Sequence, residues 1–312
     1  MDNLILSFTV IMPIFIMMVL GYVLKRVNVF DNDSIKKLNK SVFKAFLPAL
    51  IFYNVYTSKI ADVFNPKLIL YSIISIIVVA ILAFIVVFFS EKDNAKRGVL
   101  IQGIFRSNFA IFGVPLSISL YGDSITGTAS VMIAIVVPLF NILAVVILET
   151  FKSGTINIKN VLKGIITNPL IIASVLGLLA LFLNIRFPEF LENTIRDISK
   201  ASTPLALVAL GGSIDFKKVK NNIKQLIIGI AGKLIVVPAL ILSFGILLGF
   251  RNEELAILIS LSASPVAVSS FTMAQQMGGD SDLAAQLQMF GTTICIITVF
   301  LWIFLLKQLG VM

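Results

Sequence analysis

Arg106 and Lys233 are cations at positions where a cation needs a reason. They are the two of the chain's 25 basic residues that fall near the middle of apolar stretches, whereas all 16 acidic residues lie between such stretches or at their ends. Each is about nine residues from the basic end of its stretch, roughly 13 Å at about 1.5 Å per residue and so near the middle of a hydrocarbon layer about 30 Å thick. A lone cation at that depth costs about 2.5–3.5 kcal/mol on insertion scales. From Ile104 the chain reads IFRSNFAIFGVPLSISLYG, where Gly113 and Pro115 are expected to break the helix, since proline lacks an N–H and its ring clashes with the preceding turn. From Ile259 it reads ISLSASPVAVSSFTMAQQMGG, with Pro265 as a second break among Ser260, Ser262, Ser264, Ser269 and Ser270. Unwound backbone at membrane depth is tolerated only where protein or a cavity surrounds it. Half-helices beginning near Phe109 and Val266 would aim positive dipole ends and free N–H groups at that centre. All of this is positive or neutral, which favours an anion. The alternative role for Arg106 is to cap the carbonyl end of the first half-helix, and for Lys233 to snorkel or bond unwound carbonyls.

The elements that must position these residues are apolar helices. Hydrophobic residues are 58% of the 312 and charged residues 13%, with a mean hydropathy of +1.02, far from the roughly 25% charge of a soluble domain. The expected fold is an all-α polytopic membrane protein. Ten spans are predicted, at about 4–24, 38–57, 67–89, 98–120, 126–148, 161–183, 196–214, 225–248, 255–277 and 284–306, with the second and seventh shorter or more polar than the rest. Lys25 and Arg26 follow the first span and no small-residue cleavage site closes it, so it reads as a retained helix. The single cysteine, Cys295, lies within a span and there is no histidine. No disulfide framework, metal site or cofactor is expected.

The net charge of +9 is topological information. Loops after odd-numbered spans carry sixteen basic residues, and the opposite side seven. The positive-inside rule then puts both termini outside the cytoplasm of a bacterial inner membrane, and a nucleic-acid partner is unnecessary.

The chain also reads as doubled. KAFLP at 44–48 is echoed by KASTP at 200–204. A shift of 157 sets Lys67 on Lys224, Ser107 on Ser264, and YGDS (121–124) on GGDS (278–281). With five spans per half, residues 1–150 and 151–312 of this single membrane domain would enter the bilayer with opposite orientation. That is the inverted-repeat plan of secondary transporters, which bind substrate at the midplane between repeats.

SNFAIFGVPLSISLYG, STPLALVALGGSI, GKLIVVPALILSFGILLG and SASPVAVSSFTMAQQMGGD together resemble the auxin efflux carrier family, which includes plant auxin carriers and bacterial permeases for malate or malonate. The resemblance runs through the whole chain. It implies a sodium/proton antiporter-like fold with crossed broken helices four and nine. It further implies a scaffold of helices 1, 2, 6 and 7, transport helices 3–5 and 8–10, elevator-type alternating access, and a homodimer through the scaffold. Asn108 matches the crossover asparagine that contacts a carboxylate in the plant carriers, Pro265 the proline of span nine, and Val266, Ala267 and Val268 the segment after it. The plant carriers have Pro-Gln where this chain has Pro265-Val266, and their long cytoplasmic loop is absent.

The expected substrate-binding set is therefore Asn108, Arg106, Lys233, Pro265, Val266, Ala267 and Val268. An intramembrane enzyme lacks parts here, with no histidine, buried carboxylate or nucleophile–base pair. A secondary carrier of small organic anions, such as malate, malonate or an auxin-like monocarboxylate, fits best. A membrane-embedded sensor retaining the carrier fold is the alternative, as is a sodium-coupled symporter using Ser262, Ser264 or Thr292 as ion ligands.

Overall fold

A computed structural model describes residues 2–58, 65–152 and 158–312. Lys59, one of the seven basic residues opposite the positive side, and residues 153–157 between spans five and six lie outside the described residues. Those described form helices and no strand. In chain order they are α1 (Asp2–Arg26), α2 (Asn32–Ser41), α3 (Leu47–Tyr56), α4 (Pro66–Ser90), α5 (Asn94–Phe105), α6 (Val114–Tyr121), α7 (Thr126–Lys152) and α8 (Ile158–Thr167). They continue with α9 (Pro169–Phe182), α10 (Glu189–Ser213), α11 (Ile223–Ala231), α12 (Val237–Leu247), α13 (Glu253–Ser262), α14 (Ser269–Gln276) and α15 (Ser281–Gln308).

Among the described residues, four helical stretches are long and apolar enough to cross a membrane: Pro66–Ser90, Asn94–Lys152, Phe216–Leu247 and Ser281–Gln308. Val161–Thr167 and Pro169–Phe182, bent by 55°, make a fifth if taken as one span. Many large apolar side chains point outward, among them Leu70, Ile74, Val78, Ile81 and Val86 on α4 and Ile297, Leu301 and Phe304 on α15. Such continuous stripes suit lipid rather than water. The protein is an all-helical polytopic membrane protein.

Helix starts follow local chemistry. Asn65 accepts from the Leu68 N–H at 3.0 Å and Asn168 from the Leu170 N–H at 2.9 Å, each just ahead of a proline in the first turn. Asp280 caps α15 by accepting from the Leu283 N–H at 2.9 Å. These caps satisfy donors that have no partner within the helix.

Prolines further along are absorbed rather than disruptive, which corrects one expectation. Pro115 does not break its helix, and neither does Gly113. The π turns Val42–Phe46, Phe109–Gly113 and Gly232–Val236 each come just before Pro48, Pro115 or Pro238. In each case the residue preceding the proline donates its N–H five residues back: Leu47 to Val42, Val114 to Phe109, Val237 to Gly232. The widened turn accommodates the missing donor and the bulk of the ring. The helix breaks instead at Arg106–Asn108, ahead of the π turn.

Candidate functional site

Two interruptions meet in the interior. α5 ends at Phe105, and the Arg106 N–H closes its last turn on the Gln102 carbonyl at 3.0 Å. The second interruption, Ala263–Val268, separates α13 from α14 and contains Pro265. The Asn108 backbone N–H donates to the Pro265 carbonyl at 2.9 Å, and the Ser107 hydroxyl to the Ser264 carbonyl at 3.4 Å. Just beyond, Ser117 of α6 donates to Ser260 of α13 at 2.7 Å. Gly113 is needed for this approach, not for a break: a Cβ there would sit 2.7 Å from the Ser260 carbonyl oxygen.

Arg106 is 3% exposed and its guanidinium bridges three elements. Nη2 donates to Asn141 Oδ1 on α7 at 2.5 Å and to Ser269 Oγ at the start of α14 at 2.8 Å, while Nη1 meets Met273 Sδ at 2.6 Å. None of these partners is charged, so the positive charge is solvated by dipoles and stays uncompensated. Asn108 opens the π turn, its carbonyl accepting from Phe112 and Gly113 at 3.0 and 3.2 Å, yet its side chain caps nothing. Its Nδ2 is buried with no acceptor among the described residues. Asparagine at a helix start ordinarily caps the first turn. Here it does not.

A cavity of about 60 Å³ runs along this surface. Its lining includes Arg106, Ser107, Asn108, Asn141, Ala267 and Ser269 together with Leu47, Leu50, Ile51 and Asn54 of α3, with no acidic residue among the described residues that line it. The expected residues thus divide. Arg106, Asn108 and Ala267 face the cavity, while Pro265, Val266 and Val268 do not, although the Pro265 carbonyl holds the crossing together. Lys233 is not brought to the cavity. It sits in the Gly232–Val236 turn, 1% exposed, its Nζ without a partner among the described residues and Cys295 of α15 within electrostatic reach.

The three suggested ion ligands do not converge on the cavity either. The Ser262 hydroxyl donates to the Leu258 carbonyl at 2.6 Å and that of Ser264 to the Ser260 carbonyl, while Thr292 accepts from Gln288 Nε2 at 3.2 Å. Asn54 and Asn141 are cavity residues that sequence reasoning misses, and Ser269 enters it only as one of the serines around Pro265. A lone amide in an apolar span, as in VVPLFNIL around Asn141, is the signal that could have found that one.

Comparison with known proteins identifies the family. The profile of a family described as "Membrane transport protein" matches residues 6–303. The chain is 24% identical over 305 residues to "Uncharacterized transporter MJ1031" of Methanocaldococcus jannaschii, covering 94% of this chain and 96% of that one. It is 25% identical over 306 residues to "Uncharacterized transporter YfdV" of Escherichia coli K12, with the same coverage. It is 22% identical over 310 residues to a "Putative malonate transporter" of Rhizobium meliloti, covering 96% and 95%. These relatives are named as transporters and not as enzymes. The chain belongs to this membrane transport protein family, the auxin efflux carrier family.

Proposed function

We propose that the protein is a secondary transporter of small organic anions, carboxylates of the malonate and malate class, bound at the crossing of the two interrupted helices. The observation that carries this is the pairing of a buried, uncompensated guanidinium with an unsatisfied buried amide donor on one cavity with no acidic residue among its described lining. A carboxylate supplies both the negative charge and the acceptors that this surface lacks. The relative named for malonate suits that class.

Further support comes from the layout. An offset of 157 carries Asn32–Tyr56 onto Glu189–Ser213 and Pro66–Ser90 onto Ile223–Leu247, and it brings the first interruption to the second. This favours ten spans built as two inverted repeats. α1 packs along α10, and α3 along α9 and α10, which suits a scaffold against which the crossing helices rest. With α3 and the crossing both lining the cavity, sliding the crossing helices past the scaffold would carry substrate by an elevator movement. A homodimer through the scaffold, and termini on the outer face of the inner membrane, complete the proposal.

The test is counterflow of labelled malonate or malate in proteoliposomes. Saturable exchange is expected, and failure to exchange any mono- or dicarboxylate would sink the proposal. Asn108→Ala removes a donor to a buried charged group, at a cost of about 1–3 kcal/mol. It should weaken binding several-fold while the protein remains folded. Unchanged affinity in that variant would make the crossing scaffold only.

A further inference from the structure

Asn141 lies in mid-α7 with its side chain fully buried. Its orientation is dictated by chemistry. A guanidinium only donates, so the atom facing Arg106 at 2.5 Å must be the amide oxygen, and the amide nitrogen must turn the other way. That nitrogen has no acceptor among the described residues. The same is true of Asn108 Nδ2, on a different element of the same cavity. A buried donor left unpaired costs about 1–3 kcal/mol. Two of them on one small cavity beside an uncompensated cation call for acceptors that the described residues do not provide.

We infer that Asn141 is a substrate-binding residue: its Nδ2 donates to one oxygen of the ligand's carboxylate, Asn108 Nδ2 donates from the other interrupted element, and Arg106 holds Asn141 in register. This rests on the anion-site reading above and extends it. The carboxylate head group is gripped by two neutral amides, with the guanidinium behind one of them as a positioning residue and a source of positive potential. Amides suit an elevator site. They bind a carboxylate without a further fixed charge that would have to be carried through the membrane.

Two substitutions separate the donor from the acceptor. Asn141→Asp keeps an oxygen for Arg106 and loses the N–H, whereas Asn141→Leu loses both. Binding of acetate, malonate and malate to purified protein, with melting temperatures of ligand-free samples, would be measured for wild type and both variants. Both variants are expected to bind at least ten-fold more weakly. Ligand-free Asn141→Asp should melt no lower than wild type, and Asn141→Leu lower. If Asn141→Leu loses binding and Asn141→Asp retains it, Asn141 acts only through Arg106 and the inference fails. Wild-type affinity in Asn141→Leu also overturns it, while leaving the anion-site reading intact. A wild-type protein that binds none of the three acids overturns the anion-site reading itself.

Discussion

Arg106→Met is expected to reduce carboxylate exchange about 10- to 100-fold while leaving a folded protein. Charge-assisted hydrogen bonds contribute about 1.5–3 kcal/mol each, and the guanidinium both orients Asn141 and supplies the positive charge on the cavity wall. Stability should move much less, because two effects oppose each other. Losing the guanidinium strands Asn141 Oδ1 and one partner of Ser269, but it also removes a buried cation whose desolvation is expensive. Arg106→Lys separates charge from geometry. An ammonium is a point charge and does not reproduce the fork joining α7 to the start of α14. Intermediate exchange is therefore expected from the lysine variant. Wild-type exchange by Arg106→Met, measured on protein of normal melting temperature, would remove the cation from the mechanism.

Arg106 also shows what a sequence can and cannot reveal about such a site. Its burial was legible, because the middle of an apolar stretch long enough to span a bilayer is kept from water. Lys233 had the same expected depth, yet it is buried in the Gly232–Val236 turn and does not line the cavity. Depth does not specify the direction in which a side chain leaves its helix, and that direction decides whether two mid-membrane cations share a site. The location of the first break was misread for a related reason. Gly113 and Pro115 are strong local signals, but a π turn accommodates Pro115, and Gly113 serves contact with the Ser260 carbonyl. The true interruption, Arg106–Asn108, contains neither glycine nor proline, and it is held by the long-range bond from Asn108 to Pro265. Asn141 and Met273 became visible only as partners of Arg106, and Ser269, noted beside Pro265, gained a role only there, since the helices carrying them meet through tertiary packing.

The other large effect is expected outside the cavity lining, where α1 and α10 are in direct backbone contact. A Cβ on Gly211 would overlap the Met18 carbonyl, and one on Gly21 the Val208 carbonyl. Small residues allow membrane helices to approach this closely, and van der Waals contact then stands in for the hydrophobic force that lipid cannot supply between helices. The adjacent Gly212 is a control built into the same helix. A Cβ there would lie 2.8 Å from Ile35 Cδ1, the far end of a flexible side chain. Alanine at either site gains up to about 1 kcal/mol of helix propensity. At Gly212 a small shift of Ile35 makes that gain comparable with the cost. At Gly211 the obstacle is main chain, so the helices must separate, which forfeits their close packing and adds an overpacking cost of about 1–3 kcal/mol. Gly211→Ala should therefore lower the melting temperature and folded yield well below those of Gly212→Ala, and Gly211→Val should leave little folded protein. Because no described residue of α1 or α10 lines the cavity proposed to hold the substrate, folded Gly211→Ala should still bind malonate with normal affinity. Equal melting temperatures for the two alanine variants would show that the α1–α10 crossing yields readily and that the pair is not a rigid support.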